Sequence, residues 1–123
     1  MLLAVAAATA SAATRVGFDG CRGYTAAHPK AIARPTSIVI YCADGNGFLT
    51  GLHWSTWGAS SATGTGTLHL NDCTPNCAAG KFKTYAATAK LSAPKACKGA
   101  TVFTKLEWTQ VGKKPATMTF GCS

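Results

Sequence analysis

Three histidines and four acids are the groups from which this chain of 123 residues could build acid–base or metal chemistry. His53 and His69 fall in alternating, strand-like segments, while Asp44 and Asp72 fall in turn-rich stretches at the segment ends. Brought together on one face of neighbouring strands, such groups would make an acid–base pair or hold a metal ion. Neither histidine has a second ligand at a characteristic spacing. The sequence also carries no G-x-S-x-G elbow, no H-E-x-x-H and no Walker loop. Paired carboxylates for glycoside hydrolysis would have to come from Asp44, Asp72 and Glu107, and Glu107 shares its parity with Lys105 as a solvated strand position would. No catalytic residue, metal ligand or cofactor is assigned on this basis. A small secreted hydrolase using His53 or His69 with a nearby aspartate stands as the second-ranking expectation.

The six cysteines, Cys21, Cys42, Cys73, Cys77, Cys97 and Cys122, carry a stronger signal. An even number in an exported chain is what disulfide pairing requires. Cys73 and Cys77 have a ligand-like C-x3-C spacing, but no second such pair follows, which argues against zinc. The spacing alone leaves connectivity open. Local reasoning favours sequential pairs: Cys21 with Cys42, tying an irregular arm to a strand; Cys73 with Cys77, closing a Pro-containing loop; and Cys97 with Cys122, joining the ends of the last hairpin region.

Export is read from the first residues. Residues 1–12 form an apolar stretch that ends in small residues on the A-x-A pattern at Ala10 and Ala12, which predicts a signal peptide cleaved after Ala12, although no basic residue precedes the run. The stretch is shorter than the ~20 residues a membrane-spanning helix needs, and no other segment qualifies. Twelve Lys and Arg against four acids give a formal charge of +8, which implies attraction to something anionic, such as a wall polymer or an acidic protein. The basic residues are scattered, with no run longer than Lys113-Lys114, so dedicated nucleic-acid binding is not expected. A basic membrane-active protein is a third expectation. The lack of a basic amphipathic segment weighs against it.

The elements that must position these groups read as strands. Residues 13–35 have no clear period and form an irregular N-terminal arm; residues 36–123 form a β domain. The segment 36–42 is β-branched and apolar on both parities, as in a central strand covered on both faces. Asp44-Gly45-Asn46-Gly47 is a tight turn. In 48–54 the even positions Phe48, Leu52 and Trp54 make the better core face. The small, polar stretch 55–66 separates this strand from the next, in which Leu68 and Leu70 point inward and His69 outward. Residues 72–77 form a loop. Residues 81–91 alternate with Tyr85, Ala87, Ala89 and Leu91 on one face. The last hairpin joins 101–111, with Val102, Leu106 and Trp108 on one parity, to 116–120 through Gly112-Lys113-Lys114-Pro115. About six to seven short strands predict an all-β protein, a small antiparallel β-sandwich or barrel stapled by disulfides.

Several strings carry a resemblance: Tyr41-Cys42-Ala43-Asp44-Gly45-Asn46, Leu52-His53-Trp54-Ser55-x-Trp57-Gly58, Asn71-Asp72-Cys73-x-Pro75-Asn76-Cys77-Ala78-Ala79-Gly80-Lys81-Phe82, and Val102-Phe103-Thr104. Together they resemble a family of small exported actinobacterial proteins of unknown function. The resemblance implies export and disulfides, and it carries over no activity and no site residues. From the residues themselves, the leading expectation is a secreted, non-catalytic binding module of the cell envelope or extracellular space. Its contact residues are expected in loops: Asp44 and Asn46, Thr74 and Asn76 in the disulfide loop, and Trp57, whose ring follows the strand ending at Trp54. A purely structural role for the same loop, or Trp57 as a plug over one end of the fold, would read alike in the sequence.

Overall fold

The strand order β1-β2-β3-β4-β5-β6 follows the chain, each strand pairing antiparallel with its neighbour in sequence. The structure is a computed structural model, and it describes residues 16–21, 32–97 and 100–121. The strands are β1 (Ile38–Val39), β2 (Gly47–Trp57), β3 (Ser61–Asn71), β4 (Phe82–Cys97), β5 (Ala100–Gln110) and β6 (Ala116–Thr119), with no helix among the described residues. They form one sheet curled into a half-barrel, the all-β architecture expected. The expected leader, 1–12, lies outside the described residues.

The curl is built by the sizes of the residues on the inner face. One row runs Trp54, Gly64, Ala89, Trp108 across β2 to β5, so two indoles are separated by two small residues. A neighbouring row places Trp57, Ala62, Leu91, Leu106 and Met118 side by side. Gly64 has no room for more: a Cβ there would lie 2.5 Å from the carbonyl oxygen of His53 and 3.0 Å from the Trp54 ring. Gly66 is equally confined, by the carbonyl of Thr50 and the side chain of Leu52. These glycines explain why 55–66 reads as a loop throughout, although only 58–60 form the turn. The other residues complete β2 and open β3, and small side chains are what the inner face requires there.

The open side of the half-barrel is filled by the N-terminal arm together with the segment around β1. Val16, Phe18, Ile38 and Ile40 are all buried, each such aliphatic or aromatic side chain contributing about 1.5–3 kcal/mol. Gly17 forms a parallel bridge with Val102, its amide donating to Thr101 O (3.0 Å) and its carbonyl accepting from the Phe103 amide (2.9 Å). The Phe18 ring meets Phe120 edge-on at 5.2 Å. Two indoles hold the arm down: Trp57 Nε1 donates to Val16 O and Trp54 Nε1 donates to Pro35 O, both at 2.8 Å. The disulfide Cys21–Cys42 ties the arm to the segment after β1, as expected. Cys97 is also disulfide-bonded, and its expected partner, Cys122, lies outside the described residues.

Three expectations need correction. The segment 36–42 is not a central strand. Only Ile38 and Val39 pair, at the sheet edge, and its two apolar parities arise because Ile38 and Ile40 fill the concave side while Val39 and Tyr41 stay exposed. Phe48 does not face the core. The β2–β3 register shifts between Thr50 and His53, where Gly51 has φ +60°, so the inward parity passes from Leu49 to Leu52; an inserted residue in a bulge has this effect on a strand with a period of two. Trp57 does not occupy a loop. It is the last residue of β2, half-buried, packed edge-on against Trp54 and Phe103 at 5.0 and 5.5 Å.

Candidate functional site

Because β2 begins where β3 ends, with Gly47 paired to Leu70, the 44–47 turn and the loop after β3 lie at the same end of the sheet. Asn71 joins them. Its amide donates to Asn46 O (3.0 Å), its Nδ2 donates to both Asn46 Oδ1 (3.0 Å) and Cys77 O (2.8 Å), and its Oδ1 accepts from the Cys73 amide (2.9 Å). Within the turn, Asp44 Oδ1 accepts from the Asn46 amide at 3.1 Å, a side-chain acceptor of the kind that closes Asx turns.

The second loop is organised around Asp72. Its Oδ1 accepts from the amides of Thr74 and Lys81, each at 3.1 Å, and Lys83 Nζ lies 3.9 Å from Oδ2. These two amides, Lys81 before Thr74, hold the carboxyl below its ordinary value against some desolvation, and the charges of Lys83 and Lys81 act the same way. The Cys73–Cys77 disulfide closes the tip, as expected, and the Asn76 side chain accepts from the Ala79 amide at 2.9 Å. Residues 74–79 are all exposed. The result is a rigid knob whose own polar side chains fix its shape.

Under the knob, on the outer face of the sheet, three rings meet. Phe48 and His69 are directly opposite across β2 and β3 and stack with centroids 4.5 Å apart and planes 10° apart. Phe82, at the start of β4, lies 5.3 Å from Phe48 and is 46% exposed. Thr50 Oγ1 and His69 Nε2 are 2.8 Å apart, which fixes the imidazole edge.

Four of the five expected contact residues, Asp44, Asn46, Thr74 and Asn76, therefore share one end of the molecule. Trp57 sits at the far end of the 11-residue β2, roughly 30 Å away along the strand. The organising residues Asn71, Asp72 and Gly80 are not among the contact residues expected from the sequence. Gly80 is forced: a Cβ there would press on Asn71 Oδ1, the Cys73 amide and Asp72 Oδ1. The outer ring cluster was also missed, because placing Phe48 beside His69 requires the bulge at Gly51 to be known.

The histidine and aspartate groups of the hydrolase expectation are not brought together. His53 pairs with Thr65, four positions from His69 along β3, roughly 13 Å. No hydrogen bond or ion pair links either histidine to Asp44 or Asp72, and no group of three or more His, Cys, Asp or Glu able to hold a metal ion occurs among the described residues. Among these residues no helix is long and apolar enough to cross a membrane. Compared with protein families, curated proteins and solved structures, the chain matches none.

Proposed function

We propose that this chain is an exported, non-catalytic binding module that works at the cell envelope or in the extracellular space, with the 44–47 turn and the 72–80 loop as its contact surface. The observation that carries this reading is the Asn71 side chain, which welds the two loops into one surface before any partner arrives. A surface fixed in advance loses little entropy on binding. The half-exposed Phe82, backed by Phe48 and His69, supplies the apolar area that binding surfaces use as an anchor. Disulfides suit an oxidising compartment, and the charge of +8 favours an anionic partner, an acidic wall polymer or an acidic envelope protein.

The test is binding of the oxidised protein to purified acidic wall polymer and to envelope proteins, at low and high salt. Phe82→Ala and Asn76→Asp, which keeps the acceptor for the Ala79 amide and adds a negative charge, should each weaken binding at least tenfold, while His53→Ala, on the outer face away from the loops, should not. Binding by neither partner class, or equal binding by all three variants, would remove the loop surface from the account.

A further inference from the structure

We propose that the free edge of β6, with the cavity beside it, takes up an extended peptide that carries an acidic residue next to an aliphatic one, as an added strand. This edge is remote from β2–β3 in the strand order, so the inference does not rest on the loop surface. Phe120 donates to Thr104 O at 2.8 Å and Thr119 is paired with Lys105. In an antiparallel ladder the hydrogen-bonded positions alternate, so Met118 and Ala116 turn their backbone groups toward β5. Thr117 and Thr119 turn theirs away. Both are exposed, and neither backbone has a partner among the described residues.

Next to this edge is a cavity of about 310 Å³, lined by Met118, Thr119 and Phe120 on one side and by Ile40, Cys42 and Ala43 on the other. It occupies the seam between the two edges of the half-barrel, since Ile40 follows β1 directly. A strand laid along β6 would bond to Thr117 and Thr119, and its residue opposite Met118 would point into the cavity. Backbone bonds for affinity and a pocket for one side chain are the means by which sheet edges capture extended peptides.

Charge selects the occupant. The added residue opposite Thr119 shares the outer face with Lys105, whereas the one opposite Thr117 shares it with Glu107. An acid is therefore favoured at the first position and disfavoured at the second. Lys113 and Lys114 stand at the start of β6. A second copy of the chain would bring +8 against +8, whereas an acidic peptide is drawn in by the same field.

The experiment uses the full oxidised chain, a blocked heptapeptide with a central Asp-Leu pair, and its Lys-Leu counterpart, with amide hydrogen exchange read by NMR. The Asp-Leu peptide should slow exchange at Thr117 and Thr119 at least tenfold and leave Ala79, in the loop after β3, unchanged. The Lys-Leu peptide should bind at least tenfold more weakly. Thr119→Pro removes an outward amide without touching the β5–β6 bonds, a placement tolerated on edge strands, and should abolish protection. Lys105→Glu, a surface change that leaves the fold intact, should weaken the Asp-Leu peptide at least tenfold. Absence of protection at millimolar peptide, or equal binding of the two peptides, overturns the proposal. So does protection that rises with protein concentration alone, which would assign the edge to a second copy.

Discussion

At Asp72 a single carboxylate oxygen accepts from the amides of Thr74 and Lys81, and this, before any charge nearby, lowers its pKa. A group whose folded pKa lies below its unfolded value stabilises the fold above the unfolded value, and that contribution disappears as pH falls through the folded one. The loop should therefore be held fully above about pH 5 and loosen as pH drops from the ordinary 3.8 toward the lower folded value. Thermal unfolding of Asp72→Ala beside the parent chain checks this: the gap in Tm seen at pH 7 should close at pH 2. A gap that persists unchanged at pH 2 would assign the effect to something other than the ionised carboxylate. Asp72 was legible as a loop residue in a distinctive string. Its acceptor role was not, because the Lys81 amide lies nine positions along the chain and only the closed loop brings it back.

The glycines of the β2–β3 hairpin separate two costs that look alike in a sequence. Gly51 has φ +60° and open space around its Cβ position, so Gly51→Ala should cost only the left-handed backbone, about 1–2 kcal/mol. Gly64 has no positive φ, but its Cβ would meet backbone 2.5 Å away, so Gly64→Ala must push two strands apart and should destabilise more than Gly51→Ala in a urea titration. Equal losses would mean that the hairpin relaxes around Gly64. These positions also show where sequence reasoning succeeds and where it stops. Alternation identified the inner faces of β3 and β4, through Leu68, Leu70, Ala87 and Ala89, and the second half of β5, at Leu106 and Trp108, but not its first half, where Phe103 rather than the expected Val102 joins the core. It failed in β2, where the bulge reverses the parity between Leu49 and Leu52. It failed again at Trp57, since the polar residues Ser55 and Thr56 conceal a strand whose indole is claimed by Val16 in the distant arm.

Across the whole molecule the two described cross-links do different work. Cys21–Cys42 spans 21 positions and fastens the arm, whereas Cys73–Cys77 spans four and shapes a loop. Loop-closure entropy gives about 3 kcal/mol for the first and about 2 kcal/mol for the second. Replacing both cysteines of the first pair by serine should thus lower stability by roughly 1 kcal/mol more than replacing those of the second, measured by chemical denaturation under oxidising conditions. Similar losses would indicate that the arm is secured mainly by Trp54 and Trp57. The strand order has a kinetic consequence as well. Every hairpin joins sequence neighbours, so the sheet can zip from any of its turns with little chain to search. The Gly17–Val102 bridge differs, because it joins residues 85 positions apart along the chain. Refolding should therefore run on two clocks, a rapid one for the meander and a slower one for the arm that seals it. A chain caught between them would have its strands in register and its inner face still open to water.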